Sequence, residues 1–362
     1  MALQLISPSL LLTILDDAWE RMIAVFVHGP SGIGKSQIIK QWAKAKAEAL
    51  GLDFVELGHE VKDPEKTFGF IDLRAVLLDI LDVKGAPMVD VEAQVTRFLI
   101  TTLMPMIETH GKYGLLFLDE LPQSAVMVSN SLSQLIYDRR IGADYFLPDG
   151  WMITAAGNRS QDGAATNKVG AHIYNRFANY ELVPEIQSFK QYFLDNPHLD
   201  QRVLGYLQAV PDNLHNYTPR DIAFATLRKW VEVAGIVGRT EDPELREVLI
   251  AGEVGTGPAL ELEGFLRMHT QLTSWNEIST RPDDARVPDT GSEMALSAHY
   301  ALVGIVFRNV DKNTLGNALA YMKRLPKEFG NVLAHDIIEN KPDLVETIVF
   351  AKWREDNPEL AI

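Results

Sequence analysis

The sequence predicts an α/β fold: a parallel five-stranded sheet sandwiched by helices, followed by a helical lid segment and an all-α C-terminal extension. Three observations predict it. Over residues 1–184, short apolar runs alternate with amphipathic stretches, as crossovers between parallel strands require. Most of those runs end in residues able to do chemistry, the place where open α/β sheets bind ligands. After Pro184 the strand-like runs stop and helical spacing takes over.

Five runs read as strands: Ile23–His28, Phe54–Leu57, Leu115–Leu118, Met152–Ala156 and Asn179–Val183. Ser36–Leu50, Asp90–Thr109 and Ser124–Asp138 read as the helices between them. Residues 185–236 read as a separate helical segment containing Phe189–Leu194, Gln201–Ala209 and Pro219–Val233. Residues 237–362 read as helical throughout, broken by a polar loop from Arg281 to Ser292; Ala295–Val306 is apolar almost all round and is expected to be buried.

Composition narrows the function classes. The 362 residues contain no cysteine, which removes disulfides, thiolate catalysis and cysteine metal sites. The net charge is −15 and is spread along the chain, which argues against nucleic acid as the main substrate, since such proteins displace counterions with a basic face. The opening residues carry Asp16, Asp17 and Glu20 and show no leader pattern, and the apolar run Phe98–Ile107 is too short to span a bilayer. A cytoplasmic protein without a membrane segment is expected.

Gly29, Pro30, Ser31, Gly32, Ile33, Gly34, Lys35 and Ser36 form a complete G-x-x-x-x-G-K-S match between a strand and a helix. Glycines let backbone N–H groups wrap a phosphate, and the helix N-terminus adds partial positive charge. Lys35 is suited to neutralising β/γ oxygens and the Ser36 hydroxyl to ligating Mg²⁺, so ATP and Mg²⁺ are the expected cofactors. Downstream, Leu115–Leu118 runs into Asp119 and Glu120. In this context Asp119 is a metal ligand, usually through water, and Glu120 can prime an attacking water, which points to hydrolysis rather than transfer to a second substrate.

With these residues the chain resembles the AAA+ ATPase superfamily and, within it, the MoxR-like group of dynein-related type found in bacteria and phage. The likeness covers roughly residues 7–236. It implies that Asn158, ending the run Trp151–Gly157, is the first sensor that helps Glu120 place the water; the plain alternative is a turn-forming Asn. It implies that Arg176, in Asn175-Arg176-Phe177, is an arginine finger reaching a neighbouring subunit's γ-phosphate, with Arg159 as a rival and a surface ion pair as the plain alternative. Tyr217-Thr218-Pro219-Arg220-Asp221 reads as a helix start, with Thr218 as cap. There the likeness makes Arg220 the second sensor, on the nucleotide side of a lid helix. The MoxR-like reading also rests on a short hairpin at Arg139–Pro148 and on Asp63–Pro87 as the family's insert, where Phe68-Gly69-Phe70 is a candidate pore contact though aromatics at such spacing more often pack in a core.

The resemblance implies a homo-oligomeric ring, a hexamer, that remodels or activates a protein client, often one carrying a von Willebrand factor A domain. Two other readings share the ATP motifs: a nucleic-acid-directed motor or loader, and a nucleotide-gated scaffold with little turnover. Beyond residue 240 no motif of chemistry occurs; Gly252–Gly257 lacks a following lysine and reads as a turn between helices, and His28, His59 and His110 show no metal-ligand spacing.

Overall fold

The computed structural model describes residues 3–159, 170–217, 222–269, 272–288 and 295–357. These form two compact units: the first runs to Ser188 and takes in Tyr217, and the second covers 189–216 and resumes at residue 222.

The first unit contains strands β1 (Gln4–Ile6), β2 (Val25–His28), β3 (Asp53–Glu56), β4 (Thr67–Arg74), β5 (Ala86–Asp90), β6 (Val95–Leu99), β7 (Tyr113–Asp119), β8 (Arg140–Ile141), β9 (Tyr145–Phe146), β10 (Trp151–Gly157) and β11 (Ala178–Leu182). Its helices are α1 (Pro8–Glu20), α2 (Lys35–Ala49), α3 (Ile80–Lys84), α4 (Ile107–His110), α5 (Val126–Asp138) and α6 (Ala171–Tyr174). Seven strands make one sheet in the order β1-β11-β2-β10-β7-β4-β3, and every pairing in it is parallel.

Alternate residues of each central strand feed opposite layers, as a pleat of period two requires. Phe26, Leu116, Leu118, Ile153 and Ala155 pack with Val128, Leu132 and Leu135 of α5. Val25, Val27, Leu115, Phe117 and Met152 pack with Leu11, Leu15 and Trp19 of α1 and with Ile39, Trp42 and Ala43 of α2. Both faces are covered, which is why these strands read as near-continuous apolar runs. Each fully buried Leu, Val or Phe contributes roughly 1.5–3 kcal/mol, and that burial holds the strand ends in place.

All five expected strands are present, but the expected count of five is corrected to seven. β1 is only three residues long, too short to show a period, and pairs with β11 through Gln4 opposite Tyr180. β4 lies inside the stretch expected to be an insert and instead joins the sheet between β7 and the edge strand β3. Its interior Gly69 disguised it; a Cβ there would lie 2.2 Å from the His110 carbonyl and 2.7 Å from the Trp151 ring, so the close approach requires glycine. Phe68 and Phe70 are 0% and 2% exposed, so they are core residues and the pore-contact expectation is overturned.

The helix expected at Asp90–Thr109 is also corrected. Ala86–Leu99 forms the antiparallel hairpin β5–β6, and only Ile107–His110 is helical. The β-branched Val89, Val91, Val95 and Thr96 favour extended backbone, and Gln94 (φ 51) makes the turn. The brief hairpin expected around Gly142 is present as β8–β9.

The second unit is helical: α7 (Ile186–Asp195, which runs across the division), α8 (Gln201–Ala209), α9 (Leu227–Arg239), α10 (Pro243–Val254), α11 (Thr256–His269), α12 (Trp275–Thr280), α13 (Ala295–Asn309), α14 (Leu315–Met322), α15 (Lys327–Asn340), α16 (Pro342–Val345) and α17 (Ile348–Glu355). It holds both the segment read as a lid and the helices beyond it. Side chains of Asp200, Thr226, Asp242 and Thr347 cap α8, α9, α10 and α17. The helix expected from Pro219 begins instead at Leu227, because Thr226 Oγ1 accepts from Lys229 N at 3.2 Å and residues 222–226 precede the first turn. Leu302, Val306, Leu319, Leu333, Ile337 and Phe350 form its core. No helix among the described residues is long and apolar enough to cross a membrane.

One histidine couples this unit to pH. Burial, then the positive charge of Arg202, lowers His269 from its ordinary 6.5 to about 4. The unfolded chain therefore takes up this proton first on acidification. The contribution of His269 is intact above pH 6.5 and is lost as pH falls toward about 4. In thermal melts, His269→Gln is expected to lose less stability over that interval than the parent; equal slopes would contradict the assignment.

Candidate functional site

The candidate site lies in the first unit, at the C-terminal ends of β2, β7 and β10. β2 ends at His28, the chain turns through Gly29–Gly34, and α2 begins at Lys35. Gly34 occupies the position before the helix with φ 91 and ψ 15, and Gly32 has φ 76, both in the left-handed region that favours glycine. Ile33, 2% exposed, anchors the loop in the core beside Ile39. Gly34 supplies no side-chain cap and the first turn of α2 holds no acid, so no side chain of that turn offsets its N-terminal partial charge.

Lys35 is 8% exposed. Its ammonium donates to the carbonyls of Gly29 (2.8 Å) and Pro30 (2.9 Å) and to Asn158 Oδ1 (3.1 Å). The cation is thus buried yet served, at the cost of three acceptors converging on one point. The Ser36 hydroxyl donates to Asp119 Oδ2 at 2.7 Å, while Asp119 Oδ1 accepts from the backbone N–H of Glu120 at 2.9 Å. The structure therefore brings together Gly29–Ser36, Asp119, Glu120 and Asn158, which are scattered over 130 positions of sequence.

Glu120 itself has φ 56 and ψ 30, a left-handed conformation unusual for a residue with a side chain. It is half-buried, and its carboxylate makes no hydrogen bond or ion pair among the described residues. Such strain costs about 1–3 kcal/mol and is typical of functional positions.

The two candidate fingers differ in their surroundings. Arg159 Nη1 pairs with Glu181 Oε1 at 2.9 Å. Arg176 Nη1 donates to the Ser133 carbonyl on α5, and its guanidinium lies 5.1 Å from the Tyr137 ring centre. Arg220, with Thr218 and Pro219, lies outside the described residues. His28 is structural: its Nε2 is 3.0 Å from Asn179 Oδ1, its ring stacks on Phe26, and burial lowers its pKa.

Sequence reading missed β4 and with it two charged neighbours of the site. Arg74 stands opposite Asp119 in register, and Asp72 opposite Phe117. Burial, then the charge of Asp119, raises the Asp72 carboxyl above its ordinary value, with Arg74 and Lys40 opposing. The signal was the alternation of apolar and charged residues over Ile71-Asp72-Leu73-Arg74, the period of a strand.

The strand order, the glycine loop opening α2 and the acidic end of β7 are those of a P-loop α/β fold, with helices on both sheet faces and an all-α second unit. Solved structures similar to the chain include NtrX from Brucella abortus in complex with ADP, at 14% identity over 97% of this chain and 68% of that one, with a TM-score of 0.38. A RuvB mutant from Thermotoga maritima matches at 18% identity over 71% of this chain and 68% of that one, TM-score 0.37. The ORC2 protein from Aeropyrum pernix, in ADPNP–ADP complexes, matches at 11% identity over 71% of this chain and 66% of that one, TM-score 0.38. At these values the likeness assigns neither a family nor an activity. No protein-family model matches the chain, and no curated protein matches it in sequence.

Proposed function

We propose that the chain is an ATP hydrolase of the AAA+ type. One observation carries the reading: the N-terminus of α2 presents partial positive charge beside the buried Lys35 ammonium, with no acid and no cap in its first turn, in a chain whose net charge is −15. An anion is the partner that such a helix end lacks, and a triphosphate fits the glycine loop in front of it.

Mg²⁺ suits the donor set, because Ser36 Oγ and Asp119 Oδ2 are hard oxygens already 2.7 Å apart. Bound with ATP, the ion supplies charge neutralisation at the phosphate oxygens. The loop amides and Lys35 would hold the phosphates, Ser36 and Asp119 would hold the ion, Glu120 would take a proton from the attacking water, and Asn158, bonded to Lys35, would orient that water.

The finer reading is a MoxR-like ATPase that works as a hexameric ring, with Arg176 completing a neighbour's site and Arg220 coupling nucleotide state to the lid. Hydrolysis would then remodel or activate a protein client, such as one with a von Willebrand factor A domain. The hairpin β8–β9 preceding β10 and the position of Arg176 before β11 support this reading. Steady-state phosphate release tests the enzymatic claim: the purified chain is expected to turn over Mg·ATP, and Lys35→Ala to reduce turnover to background while melting cooperatively. Turnover unchanged in that variant would sink the assignment.

A further inference from the structure

The second unit contains a cavity of about 500 Å³ that the nucleotide chemistry does not use. Its volume falls within the roughly 300–1,000 Å³ typical of small-molecule sites. Four cations line it, Lys190, Arg202, Arg308 and Lys341, against two carboxylates, Asp200 and Asp336. The lining thus has two more positive than negative groups, in a chain that is strongly negative as a whole.

Three of the four cations are committed. Arg202 grips Asp200 through Nε (2.9 Å) and Nη2 (2.7 Å), and Lys190 pairs with Asp336. Lys341 Nζ donates to the Val310 carbonyl at 3.0 Å and lies 5.0 Å from the Phe307 ring centre. Arg308 is different: its guanidinium makes no hydrogen bond or ion pair among the described residues. No described residue takes up its five N–H donors, and a ligand can. Arg308 as a residue is exposed, and the partial burial of its guanidinium, with the charge of Arg202 adding to it, lowers its pKa, while Asp200, already bonded to Arg202, opposes. His269, also on the wall, is held neutral by burial and by both arginines and adds no charge of its own. Beside these groups stand Phe265, Tyr300, Phe307 and Leu204, which form an apolar wall.

We propose that this cavity is a second ligand site, which takes a small organic anion: a carboxylate or phosphate group on Arg308, beside Arg202, and an apolar body against Phe265, Tyr300 and Phe307. An anion there exchanges water on the exposed Arg308 guanidinium for charge-assisted hydrogen bonds and offsets the surplus charge. The site is separate from the glycine loop and does not depend on the ATPase reading.

Calorimetric titration of the full chain with 1-naphthyl phosphate and with 1-naphthoate tests it and distinguishes the two anion types. At least one probe is expected to bind saturably, and equally well to Lys35→Ala, since the nucleotide loop is not involved. Arg308→Ala should weaken binding about tenfold or more, the usual consequence of losing charged hydrogen bonds. Gly304→Leu gives a second variant, because Gly304 lines the cavity and a Cβ there meets nothing within 4 Å. It fills the space without touching charge, and leucine favours the helix. It should weaken binding too, whereas Arg21→Ala, which removes an exposed arginine paired with Asp17, should not. Absence of saturable binding by either probe overturns the proposal, as does loss of binding in Lys35→Ala or affinity unchanged in both cavity variants.

Discussion

Glu120→Gln is expected to keep Mg·ATP bound while lowering turnover by about 10²–10⁴, the range that a positioned general base supplies. The amide preserves shape and removes the proton acceptor. The geometry behind the expectation is local. Asp119 is occupied through both oxygens, by the Ser36 hydroxyl and by the Glu120 backbone N–H. The adjoining Glu120 carboxylate is left uncommitted among the described residues and is carried by a left-handed backbone (φ 56) that holds the chain at the strand end. Parallel measurements of nucleotide affinity and phosphate release read the two effects separately. Equal turnover in variant and parent would remove Glu120 from its role.

Arg176→Ala has the second large expected effect, about 10³–10⁵ in turnover if its guanidinium serves a neighbour's γ-phosphate. In the single chain that guanidinium is engaged with the Ser133 carbonyl and the Tyr137 ring, so service in trans requires both contacts to be released on assembly. The competing role, a brace for α5, makes a different forecast: loss of about 0.5–1.5 kcal/mol of stability, the net contribution of one hydrogen bond, with turnover little changed. Mixing separates them. Arg176→Ala subunits combined with Glu120→Gln subunits should regain activity, because some interfaces then hold an intact Glu120 facing an intact Arg176. No recovery at any ratio would count against shared sites.

What the sequence made legible was chemistry with fixed local spacing. Gly29–Ser36 and Asp119–Glu120 could be read because a phosphate loop and an acidic strand end each sit in a few consecutive residues, and the five longer apolar runs announced their strands. The failures have physical causes. β4 was hidden by Gly69, which a pattern reader takes as a break but which the Trp151 ring and the His110 carbonyl make necessary. β6 was read as part of a helix because Val91, Val95 and Phe98 also recur at helical spacing, and only the β-branching of the two valines favours extended backbone. Leu227 rather than Pro219 opens α9 because the Thr226 cap competes with an equally plausible sequence cap eight residues earlier. Missing β4 lost Asp72 and Arg74 with it: the alternation over Ile71–Arg74 marks a strand, but a place beside Asp119 is a matter of register, which local sequence does not state.

Equilibrium titration of the purified chain with Mg·ATP under non-hydrolysing conditions tests the central claim most directly. Saturable binding of one nucleotide per chain, dependent on magnesium and lost in Lys35→Ala, is the predicted result. No saturable binding with magnesium present, or equal binding by the Lys35→Ala chain, would contradict the account.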